Sequence, residues 1–171
     1  MVKSLAFEAA LTSAHGSVTD FLEQLVGEPI NAHVRGHVLT TAGLSNGLRV
    51  DEGHPLLFRA ATLKGRVSGD SYLYAESAMV LSRLPDRFRL RLESGSDPIG
   101  RILSEEGIAV TREALEGPGL PAIAIPSGVT MSAADDILTR TYRVDIDGIP
   151  AMAIAEWFLT SLTRFLPAQG D

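Results

Sequence analysis

Two strand-like runs meet at Asp147-Gly148, and this junction restricts the chain more than any other feature of its sequence. Residues 139–146 and 150–158 both read as strands, and Asp-Gly between such runs is a strong two-residue turn signal. An antiparallel hairpin is therefore predicted to close the chain. A lone hairpin is barely stable in water, so other strands or helices must cover it. Two further runs supply candidates. In 56–63, Leu57, Arg59, Ala61 and Leu63 fall on one face; in 71–81, Tyr72, Tyr74, Glu76, Ala78 and Val80 do. A fifth run starts at Ile30, where Ile30, Ala32, Val34 and Val38 alternate with Asn31, His33, Arg35 and His37, as in a half-buried strand.

Helical signals lie between the strands. Residues 4–14 space Leu5, Ala9 and Leu11 for one apolar face. Ser17 with Asp20 three residues on reads as an N-cap, with Phe21, Leu22 and Leu25 as the buried side and Gly27 and Pro29 as the end. After the break at Leu84-Pro85 a short helix with Phe88 facing inward is expected. Asp97-Pro98 starts another, with Asp as N-cap and Pro at the first helical position, and Gly107 stops it. The Gly- and Pro-rich stretch 117–128 reads as a loop rather than a linker. The sum is an α+β fold, a mainly antiparallel sheet with helices on one side.

A chain of 171 residues fits one domain and is long enough for a full core. It has no cysteine, which excludes disulfide scaffolds, Cys-ligated metal centres and thiol nucleophiles. No segment approaches the roughly 20 apolar residues that span a bilayer, and no basic-then-apolar leader is evident; a cytoplasmic protein is expected. The formal net charge of −6 argues against a nucleic-acid partner. Thirteen of the fifteen basic residues are Arg, which permits an anionic ligand without showing one.

Two ionisable residues fall on faces that alternation marks as interior. Arg59 is in phase with Leu57, Ala61 and Leu63, and Glu156 with Met152, Ile154 and Phe158. A buried lone charge costs several kcal/mol, so each needs a partner. Either they pair with each other, or with Glu76 and Arg143, inside the sheet; or they line a concave pocket, Arg59 holding a carboxylate and Glu156 acting as acid or base, its carboxyl kept neutral by apolar surroundings. His33 and His37 fall on the polar side of their strand and read as solvated rather than metal-binding. Asp135-Asp136 reads as a solvated loop or helix start, and Trp157 faces away from Glu156.

Seven blocks, in order, give the chain a resemblance. They are Gly-Ser-Val-Thr at 16–19, Arg-Ala-Ala-Thr-Leu-Lys-Gly-Arg at 59–66, Ala-Glu-Ser at 75–77, Arg-Leu-Pro at 83–85, Asp-Pro-Ile-Gly at 97–100, Arg-Thr-Tyr-Arg-Val at 140–144, and Gly-Ile-Pro-Ala-Met-Ala-Ile-Ala-Glu-Trp-Phe-Leu at 148–159. Together they resemble the chorismate pyruvate-lyase family, closest to its actinobacterial branch, from about Gly16 to Leu166. The resemblance implies a single α+β domain over 1–171, with helical flaps over a buried ligand pocket. It implies cofactor-free and metal-free cleavage of chorismate to 4-hydroxybenzoate and pyruvate by a cytoplasmic monomer, with a chorismate-like anion as small-molecule partner. The family's carboxylate-binding arginine falls on Arg59 and its acid/base glutamate on Glu156, the latter donating a hydrogen bond or proton to the departing oxygen. Main-chain groups near Val18 and Ile99 would help hold the ring carboxylate. Glu76 stands in the pocket set where the enterobacterial branch has Arg. The enolpyruvyl carboxylate is then left to Arg66, Arg140 or Arg143. Two other readings share the fold: an enzyme of secondary metabolism acting on another small substrate, and a non-catalytic sensor of aromatic acids.

Overall fold

Asp147 and Gly148 both take left-handed backbone angles, φ 52° and 74°, which is the type I′ turn whose twist matches that of its flanking strands. The turn joins strands Asp136–Ile146 and Ile149–Leu159, with Ile146 opposite Ile149. This computed structural model describes residues 2–13, 17–117, 120 and 136–167. Its strands are β1 (Ile30–Thr41), β2 (Pro55–Gly65), β3 (Ser71–Met79), β4 (Val110–Ala114), β5 (Asp136–Ile146) and β6 (Ile149–Leu159). They form one antiparallel sheet in the order β1-β2-β3-β6-β5-β4. The helices are α1 (Val2–Ser13), α2 (Val18–Val26), α3 (Asp86–Ser94) and α4 (Ile99–Glu105). The expected α+β architecture is what the chain adopts.

The four helices pack on one face of the sheet. Phe88 and Leu92 of α3 and Ile102 and Leu103 of α4 join Leu57, Met79, Val144, Met152 and Ile154 in one apolar cluster. Phe7, Leu11 and Leu22 from α1 and α2 join Ile30, Leu63, Leu73 and Phe158 in another. The buried side of α1 runs through Phe7 and Leu11, four residues apart, not through Leu5 and Ala9 as predicted; Leu5 is exposed. Phe7 makes edge-on ring contacts with Phe21 and Phe158, which settles the helix on that side.

Two further expectations are corrected. The register of β1 slips between Val34 and Gly36, so Arg35 bulges. Before the bulge Ile30 and Ala32 face the helices; after it Val38 packs with Phe58 and Tyr74 on the opposite face. A bulge adds one residue and inverts the alternation beyond it, which a count by two cannot register. At α4, Pro98 takes the N-cap position one residue later than predicted. The Asp97 carboxylate caps nothing and instead accepts from Arg91 Nη2 at 2.7 Å. The cap of α2 is as expected: Asp20 N–H donates to Ser17 Oγ and Ser17 N–H to the Asp20 carboxylate, and Gly27 ends the helix at φ 74°. Asp136 opens β5 rather than a helix, and Asp135 and residues 118–119 and 121–128 of the predicted loop lie outside the described residues. Among the described residues no helix is long and apolar enough to cross a membrane.

Candidate active site

Small side chains on the inner face of the sheet open a pit beneath the helices. Ala61, Ala75 and Ser77 lie side by side across β2 and β3, between the larger Leu63 and Leu73 on one side and Ile154 on the other. Over them stand Val18 and Thr19 at the start of α2 and Pro98, Ile99, Gly100 and Leu103 of the α4 segment. The two helices close tightly because residue 100 is glycine: a Cβ there would fall 2.7 Å from that of Ser17. Arg59 and Glu156, the two charges that alternation placed inside, both line this pocket.

Arg59 is 3% exposed. Its Nη2 donates to the Asp97 carbonyl at 3.0 Å, and Arg91 holds the side chain of the same Asp97, so the guanidinium is aimed by a fixed loop. Its Nε has no partner. Burial pulls its pKa down to about 10, against the opposing pull of Asp97. Among the described residues, the other buried side-chain polar atom without a partner is Thr19 Oγ, on the same pocket wall. Two unsatisfied donors facing one cavity cost free energy in an empty pocket and regain it when an acceptor arrives. His37 lies opposite Arg59 on β1, and burial followed by the Arg59 charge lowers its pKa.

Glu156 is 2% exposed and fully engaged. Tyr142 Oη donates to its Oε1 at 2.8 Å, and Arg140 Nε donates to Oε2. Burial and then the Glu156 charge push the Tyr142 phenol well above its usual range, so it stays a donor. The Arg140 guanidinium also lies over the rings of Tyr142 and Phe158, and although burial alone would lower its pKa, Glu156 holds it above the ordinary value. The expected apolar surroundings are thus corrected: the niche holds a guanidinium and a phenol. Both carboxyl oxygens of Glu156 accept, one from a cation and one from a hydroxyl. Its structural partner is Arg140, neither Arg59 nor Arg143.

Three predicted pocket residues lie elsewhere. Glu76 is buried on the opposite face of the sheet, where Tyr74 Oη donates to it at 2.7 Å and burial raises its pKa. Arg143 shares that face and is held by Asp145 and Glu113. Arg66 is exposed in the turn after β2. Odd and even positions of a strand point to opposite sides, so Glu76 is separated from Ala75 and Ser77, and Arg143 from Tyr142 and Val144. Val18 and Ile99 do line the pocket. Sequence reasoning missed Thr19 and Tyr142, both inside motif blocks, and Arg112 of β4, which also lines the cavity.

Architecture and site together define an α+β fold with a pocket between one antiparallel sheet and two helices. The same fold occurs in PhnF from Mycobacterium smegmatis, 19% identical, where the match covers 87% of this chain and 66% of that one at a TM-score of 0.53; the likeness speaks to the fold alone. No family model matches the chain. By sequence it is 32% identical over 114 residues to a chorismate pyruvate-lyase of Mycobacterium tuberculosis (strain CDC 1551 / Oshkosh), a match covering 66% of this chain and 57% of the relative. The chorismate pyruvate-lyase of Mycobacterium bovis matches to the same extent. The chain is thus a relative of the actinobacterial chorismate pyruvate-lyases, as its motif blocks implied, and the match spans a little over half the length of those proteins.

Proposed function

We propose that this chain is a chorismate pyruvate-lyase, releasing 4-hydroxybenzoate and pyruvate. The carrying observation is the pairing of an unsatisfied, buried Arg59–Thr19 wall with a carboxylate, Glu156, in one pocket. Arg59 offers its free Nε to the ring carboxylate, with the Thr19 hydroxyl and main-chain groups near Val18 and Ile99 beside it. In the reaction the ether bond between ring and enolpyruvyl oxygen breaks, the hydrogen on the neighbouring ring carbon leaves as a proton, and the ring becomes aromatic. Enolpyruvate gains a proton on carbon to become pyruvate. Aromatisation drives the cleavage, so the protein has mainly to orient the anion and handle one proton and one developing enolate.

In this reading Glu156 takes the proton, its two oxygens oriented by Tyr142 and Arg140. The Arg140 guanidinium is not among the residues lining the pocket and acts by holding that carboxylate in position. The mycobacterial relatives support this chemistry by name. Incubating the purified chain with chorismate and following 4-hydroxybenzoate by absorbance tests the reading. Stoichiometric 4-hydroxybenzoate and pyruvate are expected. Binding of 4-hydroxybenzoate with chorismate left intact would overturn it in favour of a sensing domain.

A further inference from the structure

The second carboxylate of a dianion needs its own cation, and the residues first considered for that task do not reach the pocket. Arg143 is tied to Asp145 and Glu113 across the sheet, Arg66 lies in an exposed turn, and Arg140 is engaged by Glu156. Arg112 is different. It lines the pocket, and it makes no hydrogen bond or ion pair with any described residue. Register puts it on the inner face: it sits opposite Val144, which sits opposite Met152, both of them in the cluster beneath the helices, while its neighbour Glu113 points the other way to Arg143. Its charge reaches the Tyr142 hydroxyl, opposing the rise in that phenol's pKa.

Arg59 and Arg112 therefore mark the two ends of the cavity. They stand on β2 and β4, four strand spacings apart in the order β2-β3-β6-β5-β4. At roughly 4.8 Å per strand their backbones are about 19 Å apart, a span that two inward arginine stems and a ligand charged at both ends can fill. Arg59 is buried and aimed; Arg112 is on an exposed edge strand, where a free guanidinium also draws anions toward the mouth.

We propose that Arg112 is the second anion clamp of this site: it binds the carboxylate remote from Arg59, and so makes the pocket select elongated dianions over aromatic monocarboxylates. The proposal rests on the lyase reading, in which that remote group is the enolpyruvyl carboxylate. The product 4-hydroxybenzoate lacks it and is held by the Arg59 end alone.

The test compares Arg112→Gln and Arg112→Lys with wild type in chorismate kinetics and in calorimetric binding of 4-hydroxybenzoate. Loss of a charge-assisted pair corresponds to about 10–100-fold. Arg112→Gln is expected to raise KM for chorismate by that factor, with kcat and Tm little changed and 4-hydroxybenzoate affinity within about twofold by the same scale. Arg112→Lys keeps the charge without the planar fork and should fall between. A normal chorismate KM in Arg112→Gln, or equal weakening of chorismate and 4-hydroxybenzoate, overturns the clamp while leaving the lyase reading intact. If wild type binds chorismate without cleaving it, the lyase reading fails and the clamp is judged on Kd. If wild type does not bind chorismate, both fail.

Discussion

Glu156 shows how far a single residue can be read before its neighbours are known. Alternation marks it as interior, and that is correct. Its partners did not follow, because Arg140 and Tyr142 lie on a neighbouring strand, and which side chains meet across strands depends on register. The same limit explains Glu76 and Arg143: each is buried, but on the wrong face. A carboxylate that accepts a proton must be ionised before it acts. In Glu156→Gln, kcat should drop by about 10²–10⁴-fold with 4-hydroxybenzoate affinity little changed. Leaving a buried charge unpaired costs about 3–5 kcal/mol, and Arg140, whose side chain is 33% exposed, should register less than that. Turnover kinetics and a melting curve on one preparation separate the outcomes. A large fall in Tm with near-normal turnover would reduce Glu156 to a structural partner of Arg140.

At the scale of elements, those with a strong apolar period or a cap were legible: the Asp147-Gly148 hairpin, β2, β3, the Ser17–Asp20 cap and the Phe88 helix. β4 was not, since four of its five residues are exposed and an edge strand wet on both faces leaves no alternation to find. Arg112 was hidden with it. The turn between β2 and β3 depends on a residue from a different element. The Glu28 carboxylate, just beyond α2, accepts from the Ser68 hydroxyl, from the Val67 and Ser68 amides at 2.7 and 2.9 Å, and from Tyr72 Oη. Gly65 makes room, because a Cβ there would lie 2.2 Å from Glu28 Oε1. The Ser68 hydroxyl first, and its amide next, hold the Glu28 pKa down to about 2 from 4.5. A depressed carboxyl contributes stability that is complete above its unfolded pKa and lost as pH falls toward its folded one. The gap in Tm between wild type and Glu28→Gln should thus be widest above about pH 5 and narrow steadily below it. A gap constant from pH 3 to 6 on the same scale would show that the four hydrogen bonds do not depend on the charge.

For the whole molecule, the pocket lies between layers that otherwise meet through apolar contacts. The sheet supplies Arg59 and Glu156, α2 supplies Thr19, and the α4 segment covers them, with Asp97 just before it aiming Arg59. A ligand that satisfies Arg59 Nε and Thr19 Oγ therefore ties sheet to helices, and its binding free energy becomes folding free energy by mass action. With 4-hydroxybenzoate at a hundred times its Kd, the native state gains about 2.7 kcal/mol. A domain of this size shifts by roughly 2–4 °C per kcal/mol, so a rise in Tm of about 5–11 °C is expected by calorimetry. Arg59→Ala removes the one charged donor at that end and should abolish the shift. Arg59→Lys should restore little of it, since an ammonium has neither the reach nor the fork of the guanidinium. Arg143→Ala, altered on the far face of the sheet, should keep the shift even if its own Tm is lower. If Arg59→Ala retained the full shift, the carboxylate would be bound elsewhere and the assignment of this pocket would fall with it.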